Sequence, residues 1–235
     1  MNNIYVTGDT HCPIDIRKLG AGKWKESRNL TKSDYLIILG DFGVLWKYEP
    51  NKEEIYWTKW LTSRKFTTLF IQGNHENFIR LYDLPQVEMF GGTVGKVSDS
   101  IYHLRNGQVY TIYGKTFFCM GGADSYDRKF RTEGVSWWPE EQPSNADLDY
   151  ALCNLEKYNN KVDYILTHTA PRKIAYELIQ SYGVNPYYEK KDPLWVFLQH
   201  IYDSIEFSGW CLGHWHENKV IDKCNLLYED IKKVI

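Results

Sequence analysis

The sequence predicts an α/β fold, and three observations predict it. Short, uninterrupted apolar runs, β-branched enough to be strands buried on both faces, recur along the chain, as in Tyr35-Leu36-Ile37-Ile38-Leu39. Helical patterns with recognisable starts separate several of them. The runs also end abruptly, often in a glycine followed by a polar side chain, as in Gly40-Asp41-Phe42-Gly43. A carboxylate at the end of a buried strand is costly unless something positive meets it.

A chain of 235 residues can bury a substantial core and is expected to form one domain over 1–235. Apolar residues at 43% and charged residues at 25% are ordinary for a globular protein, and the net charge of −2 gives no general pull toward nucleic acid. Aromatics reach 16%; most are expected in the core, with some free to line a cleft where a base or sugar stacks. Cys12, Cys119, Cys153, Cys211 and Cys224 are odd in number and scattered, without a Cys-x-x-Cys pair. That argues against a disulfide framework or a cysteine zinc site, and for a reducing cytosol. Met1-Asn2-Asn3 runs straight into strand-like Ile4-Tyr5-Val6 with no room for a signal peptide, and no apolar run nears membrane-spanning length. The expectation is a soluble, cytoplasmic protein with no membrane association and no evident obligate protein partner.

The first strand, Ile4 to Thr7, ends in Gly8-Asp9-Thr10-His11. In isolation Asp-x-His reads as a turn aspartate and a surface histidine. Cys12 to Ser33 has little periodicity and an excess of Arg and Lys, so a solvated loop with a few helical turns is expected. A basic lid beside the first strand's carboxyl end is the functional alternative. After the Asp41 strand, Asn51 caps a helix with Glu54 reaching back, and Ile55, Trp57, Trp60 and Leu61 form its apolar face. A third strand, Phe66 to Ile71, ends in Gln72-Gly73-Asn74-His75-Glu76.

The middle is β-rich. Strand-like pieces fill Gly91 to Leu104, and Val109 to Met120 reads as a hairpin turning at Gly114-Lys115. The connection from Asp124 to Pro143 is long enough to suggest function. Ser144 starts a helix with Leu148, Leu152 and Leu155 on one stripe. Tyr164-Ile165-Leu166 leads into Thr167-His168, and helices follow over Arg172 to Ser181 and from Pro193 to about Glu206. Trp210-Cys211-Leu212 runs into Gly213-His214-Trp215-His216, and Lys219 to Ile221 with Asn225 to Tyr228 close a second sheet.

Five of the seven histidines (His11, His75, His168, His214 and His216) therefore lie just past strand ends. Open α/β sheets bind ligands there. With Asp9, Asp41 and Asn74 they form an oxygen and nitrogen set without sulfur, suited to Mn²⁺, Fe or Zn²⁺. The set exceeds what one ion needs. Two ions roughly 3.5–4 Å apart, bridged by a carboxylate, activate a water and neutralise phosphoryl oxygens during in-line displacement. Asp41 is the natural bridge, its strand being the most central by pattern. An unliganded histidine beside the ligands would protonate the leaving oxygen.

The order Gly8-Asp9-Thr10-His11, Gly40-Asp41, Gly73-Asn74-His75-Glu76, Thr167-His168 and Gly213-His214-Trp215-His216 resembles the calcineurin-like metallophosphoesterase superfamily. The resemblance implies a four-layer α/β/β/α sandwich of two mixed β-sheets flanked by helices. It implies two divalent or trivalent ions, manganese foremost with iron or zinc as alternatives. Asp9, His11 and His216 would hold the first ion, Asn74, His168 and His214 the second, and Asp41 would bridge. His75 would be the general acid and phosphate contact.

One departure is informative. Protein serine/threonine phosphatases of this superfamily carry an Asp-Arg-Gly a few residues after Gly-Asp, which orients the histidine and grips phosphate. Here the chain reads Asp41-Phe42-Gly43-Val44-Leu45-Trp46. Arg128, Arg131 and Arg172 are the candidates to contact substrate instead. The expected activity is metal-dependent hydrolysis of a phosphate mono- or diester, on a phosphorylated small molecule, nucleotide or short nucleic acid. The alternatives are a metal-stabilised, non-enzymatic scaffold, or a nuclease or cyclic-nucleotide diesterase.

Overall fold

The computed structural model describes residues 2–185 and 192–235. In chain order the elements are β1 (Ile4–Thr7), β2 (Tyr35–Leu39), α1 (Lys52–Thr62), β3 (Thr67–Ile71), α2 (Phe78–Tyr82), β4 (Gln86–Met89), β5 (Gly92–Ser98) and β6 (Ile101–Leu104). They continue with β7 (Gln108–Ile112), β8 (Lys115–Met120), α3 (Asn145–Lys157), β9 (Lys161–Thr167), α4 (Arg172–Ser181) and α5 (Pro193–Ser204). The chain closes with β10 (Glu206–Leu212), β11 (Lys219–Ile221), β12 (Cys224–Leu226) and β13 (Ile231–Lys233). Among the described residues, seven strands form one mixed sheet in the order β13-β1-β2-β3-β6-β5-β4, and six form a second in the order β11-β12-β10-β9-β8-β7. None of the described helices is long and apolar enough to cross a membrane.

The period-2 alternation of strand side chains explains why the central strands are apolar throughout. Along β1 to β3, Ile4, Val6, Ile37, Leu39, Leu69 and Ile71 join a core shared with Phe117, Cys119, Leu166 and Cys211 of the second sheet. Their neighbours Tyr5, Leu36, Ile38 and Phe70 point the other way, onto Trp57 and Leu61 of α1 and Phe78 of α2. In the second sheet Phe118, Met120, Ile165, Trp210 and Leu212 face Ala151 and Leu155 of α3, and α4 and α5. Both faces of each central strand are thus covered, consistent with a sandwich of two sheets flanked by helices. Each fully buried large apolar side chain contributes about 1.5–3 kcal/mol.

Several expectations are refined. Asn51 caps α1, its side chain accepting the Glu54 N–H at 2.8 Å, but Glu54 does not reach back. Its carboxylate takes a bidentate pair from Arg80, both contacts at 2.6 Å. Ser144 and Asp147 form a reciprocal capping box at the start of α3. The β7–β8 turn falls at Tyr113-Gly114, both with positive φ, as a tight hairpin requires. The helix from Pro193 stops at Ser204 because Glu206 begins β10. Cys12 to Ser33 is less solvated than its composition suggests. Ile16, Leu19, Trp24 and Leu30 are buried on the first sheet, and Lys18, one of the basic residues expected to be solvated or, in the alternative, to form a lid, is buried with its ammonium donating to the carbonyls of Asp9, Gly8 and Tyr228.

Candidate metal centre

Parallel pairing gathers the motifs. β1, β2 and β3 run parallel, so Asp9, Asp41 and Asn74 leave one edge of the first sheet together. β9 and β10 are also parallel, so His168 and the His214–His216 turn leave one edge of the second. Glycine lets these ends approach closely. At Gly40, where φ is +94°, a Cβ would lie 2.2 Å from His168 Nδ1, and at Gly213 it would lie 2.3 Å from Asp9 Oδ1. His11, Asp41, His214 and His216 all adopt positive φ, a strained backbone for such residues that clusters where side chains must converge.

The buried carboxylate of Asp41 is central. Its Oδ2 lies 3.2 Å from His11 Nε2 and its Oδ1 lies 3.3 Å from His168 Nε2. The same Oδ1 accepts the His75 backbone N–H at 2.8 Å. His168 Nε2 is also 3.1 Å from Asn74 Oδ1. Asp9 Oδ1 accepts the His214 backbone N–H at 2.9 Å. Its Oδ2 is buried and accepts no hydrogen bond, although His216 Nε2 stands 3.0 Å away. The His214 ring packs edge-on against His168, centroids 5.0 Å apart.

These atoms fit metal ions. Asp9, His11 and His216 offer ligand atoms within 4.8 Å of one another, as do Asp9, Asp41 and His168. A buried carboxylate oxygen without a hydrogen bond, beside an imidazole nitrogen, suits a cation. A family model for calcineurin-like phosphoesterases matches residues 3–218. The chain belongs to the calcineurin-like phosphoesterase family. No curated protein matches the sequence significantly.

The outer contacts of this calcineurin-like phosphoesterase orient the histidines. A carbonyl or carboxylate oxygen only accepts, so His11 Nδ1–H donates to Asp15 at 2.8 Å and His168 Nδ1–H to Leu39 O at 2.6 Å. Each Nε2 is thereby aimed at Asp41. Asn74 is set the same way. Its amide nitrogen donates to Ser125 Oγ at 2.9 Å, and Ser125 donates to Glu141 at 2.6 Å, which turns Asn74 Oδ1 inward. Glu76 fastens two of the turns together, accepting from Phe42 N at 2.8 Å and Gly73 N at 3.4 Å.

The charges are tightly interlocked. Burial disfavours a charged His11 and His168, but the surrounding carboxylates, led by Asp41 in both cases, outweigh it and raise each to about 9. Burial likewise opposes ionised Asp41, yet His168, His11 and His75 hold it well below the usual carboxylate range. Burial and the neighbouring His168 push His214 down to about 3, keeping it neutral. Burial also lowers His75, with Arg131, His11 and His168 adding to it and Asp41 opposing. Glu76 is pushed up to about 8 by burial and by Asp41, against the two N–H donors.

A cleft of about 290 Å³ opens beside the cluster, lined by His11, Cys12, Ile14, Gly43, Trp46, His75 and Arg131. Trp46 lies 6.3 Å from the His75 ring, centroid to centroid. Arg131 donates to Asp127 Oδ1 at 2.6 Å and to Ser136 O at 3.0 Å. Of the other two arginines, Arg128 lines a neighbouring cavity and faces Asp124 at 3.6 Å. Arg172 is exposed at the first residue of α4 and lines neither space. Ser125, Glu141 and Asp127 were not foreseeable, since nothing in a loop sequence indicates which side chains fold back onto a distant strand end. Asp15 carried a weak signal, four residues beyond His11.

Proposed function

We propose that this protein hydrolyses phosphate mono- or diesters at a two-metal centre. The observation that carries the reading is the convergence of Asp9, His11, Asp41, Asn74, His168, His214 and His216 beside a cleft lined by both His75 and Arg131. Asp9, His11 and His216 would hold one ion and Asn74, His168 and His214 the other, with Asp41 between them. The oxygen and nitrogen donors suit manganese foremost, with iron or zinc as alternatives. Such ions supply Lewis acidity to a water and to phosphoryl oxygens.

The chain's own groups do the rest. The Arg131 guanidinium, held by Asp127, presents its remaining N–H donors to non-bridging phosphate oxygens. This Asp-Arg pair comes from the long loop and supports a replacement for the pair missing after Asp41. His75 gives its proton to the leaving oxygen. A phosphate anion alongside would raise its affinity for that proton, opposing the downward pull of burial. Trp46, Cys12 and Ile14 supply an apolar wall for the organic part of the substrate, which favours a phosphorylated small molecule or nucleotide over a polymer. All five cysteines are free, which supports the reducing cytoplasm as the compartment.

The test is hydrolysis of p-nitrophenyl phosphate and bis-p-nitrophenyl phosphate with Mn²⁺, with and without chelator. Turnover of either that chelation abolishes is expected. No turnover of either, with bound metal demonstrated by elemental analysis, would establish the scaffold instead.

A further inference from the structure

A second cavity opens at the carboxyl edge of the first sheet, one strand beyond the metal centre. β3 and β6 are parallel neighbours, and the residues just past them, Gln72 and Arg105, both line a space of about 480 Å³. None of the candidate metal ligands lines it. His103 of β6 forms part of the wall, and Tyr82 of α2 and Tyr150 of α3 stand at its sides with their rings partly exposed.

Two polar atoms here are buried without partners, Gln72 Oε1 and His103 Nε2, on side chains only 1% and 2% exposed. An unsatisfied buried polar atom is unfavourable, so such atoms mark a place that something else completes. The Gln72 amide nitrogen donates to the Tyr82 hydroxyl at 3.1 Å, and in this orientation its carbonyl oxygen is left to accept. Several other polar groups of the wall are engaged: Gln108 bonds both backbone polar groups of Thr93, Asn106 bonds both of Gly121, and one oxygen of the Asp147 carboxylate, Oδ2, accepts from Ser144. Arg105 is the cation of the lining, and among the described residues its guanidinium makes no ion pair or hydrogen bond. Burial, with Arg105 adding to it, lowers His103 to about 3, so its ring is neutral and offers one donor and one acceptor.

We propose that this cavity is a second ligand site and that it takes a mononucleotide. The phosphate pairs with Arg105, whose planar fork suits phosphate oxygens. The base lies against Tyr82 and Tyr150 and donates an N–H to Gln72 Oε1. Every base has a π-face that stacks favourably on an aromatic ring, and the volume falls in the range of small-molecule sites. A sugar phosphate matches Arg105 and Gln72 but offers the tyrosines no π-face, and inorganic phosphate matches Arg105 alone.

The experiment is calorimetric titration of the full chain, in excess chelator, with AMP, GMP, CMP and UMP. Saturable one-to-one binding of at least one is expected. It should weaken at least about tenfold, roughly 1.4 kcal/mol, in Arg105→Ala and in Tyr150→Ala, and stay unchanged in Asp41→Asn. Absence of saturable binding below about 1 mM overturns the proposal. So does binding lost in Asp41→Asn but retained in Arg105→Ala, which would locate the nucleotide at the metal centre. Ribose 5-phosphate or inorganic phosphate binding as tightly as the nucleotide would reduce the cavity to a simple anion site, and would also overturn it.

Discussion

The His75 backbone N–H donates to Asp41 Oδ1 at 2.8 Å, so the residue proposed to move a proton is anchored to the carboxylate proposed to join two ions. Asp41→Asn keeps the size of the side chain but removes the charge that His11 and His168 face. Metal content by elemental analysis should fall, and hydrolysis should drop by more than the roughly 10–100-fold typical of losing a supporting partner. A variant that kept both ions and full activity would overturn the bridging role.

Metal binding should release protons. His11 and His168 are held at about 9, above their ordinary 6.5, so at neutral pH both carry a proton that a metal must displace. In the metal-free protein the sign is opposite. The stabilisation these raised values represent is complete below pH 6.5 and is lost as pH rises through about 9. Asp9 and Asp41 are lowered, so their contribution is present above 3.8 and is lost as pH falls. Thermal melts in chelator should therefore decline from neutral pH toward 9 while metal affinity climbs. Titrations in buffers of different ionisation enthalpy should report about two protons released per chain near pH 7.

What the sequence made legible follows from range. β2 and β3 were readable because both faces are buried, which demands the apolar runs Leu36 to Leu39 and Leu69 to Ile71. The ligands were readable because each sits within a few residues of a glycine-marked strand end. β13 is not legible in the sequence because Ile231–Lys233 pairs with β1 at the sheet edge, where two lysines are tolerated and no apolar run is required. α2 is too short to show a period, and the strand Gln86–Met89 alternates only weakly in burial. The Arg131–Asp127 pair was half visible: the arginine was a candidate, but its partner and its approach to His75 depend on the path of a 20-residue loop.

Gly40 should be far less replaceable than other glycines with positive φ. In Gly40→Ala the new Cβ would meet His168 Nδ1 at 2.2 Å, whereas at Gly91, with φ +81°, nothing lies within 4 Å. Both substitutions incur backbone strain of about 1–3 kcal/mol. Only Gly40→Ala should also displace His168 from Leu39 O and Asp41. The expected result is a lower melting temperature for both and a loss of bound metal for Gly40→Ala alone. Equal metal retention in the two would sink the close-approach argument.

Ser125 is expected to act on the metal through Asn74. Its hydroxyl accepts a hydrogen bond from the Asn74 amide nitrogen at 2.9 Å and donates one to Glu141 at 2.6 Å, so Ser125→Ala frees Asn74 to rotate. Metal affinity, measured by competition with a chromogenic chelator, should weaken roughly 10–100-fold. Stability should also fall by about 1–3 kcal/mol, because a buried carboxylate oxygen loses its donor. A fall in stability with unchanged metal affinity would confine Ser125 to packing.

Arg131 separates the three arginine candidates. It shares its cleft with His75, whereas Arg128 faces Asp124 in the next cavity and Arg172 is exposed on α4. A charge-assisted hydrogen bond to phosphate is worth about 1.5–3 kcal/mol, so Arg131→Ala should lower kcat/KM roughly 10–100-fold. Arg128→Ala and Arg172→Ala should stay near the wild type. Arg131→Lys should recover only part of the loss, since an ammonium cannot hold Asp127 and span two phosphate oxygens at once. Asp127→Asn, which leaves the guanidinium charged but less firmly held, should fall between the wild type and Arg131→Ala. If Arg128→Ala were the damaging substitution and Arg131→Ala neutral, the phosphate would have to enter from the Asp124 side, and the pairing of Arg131 with His75 would be structural.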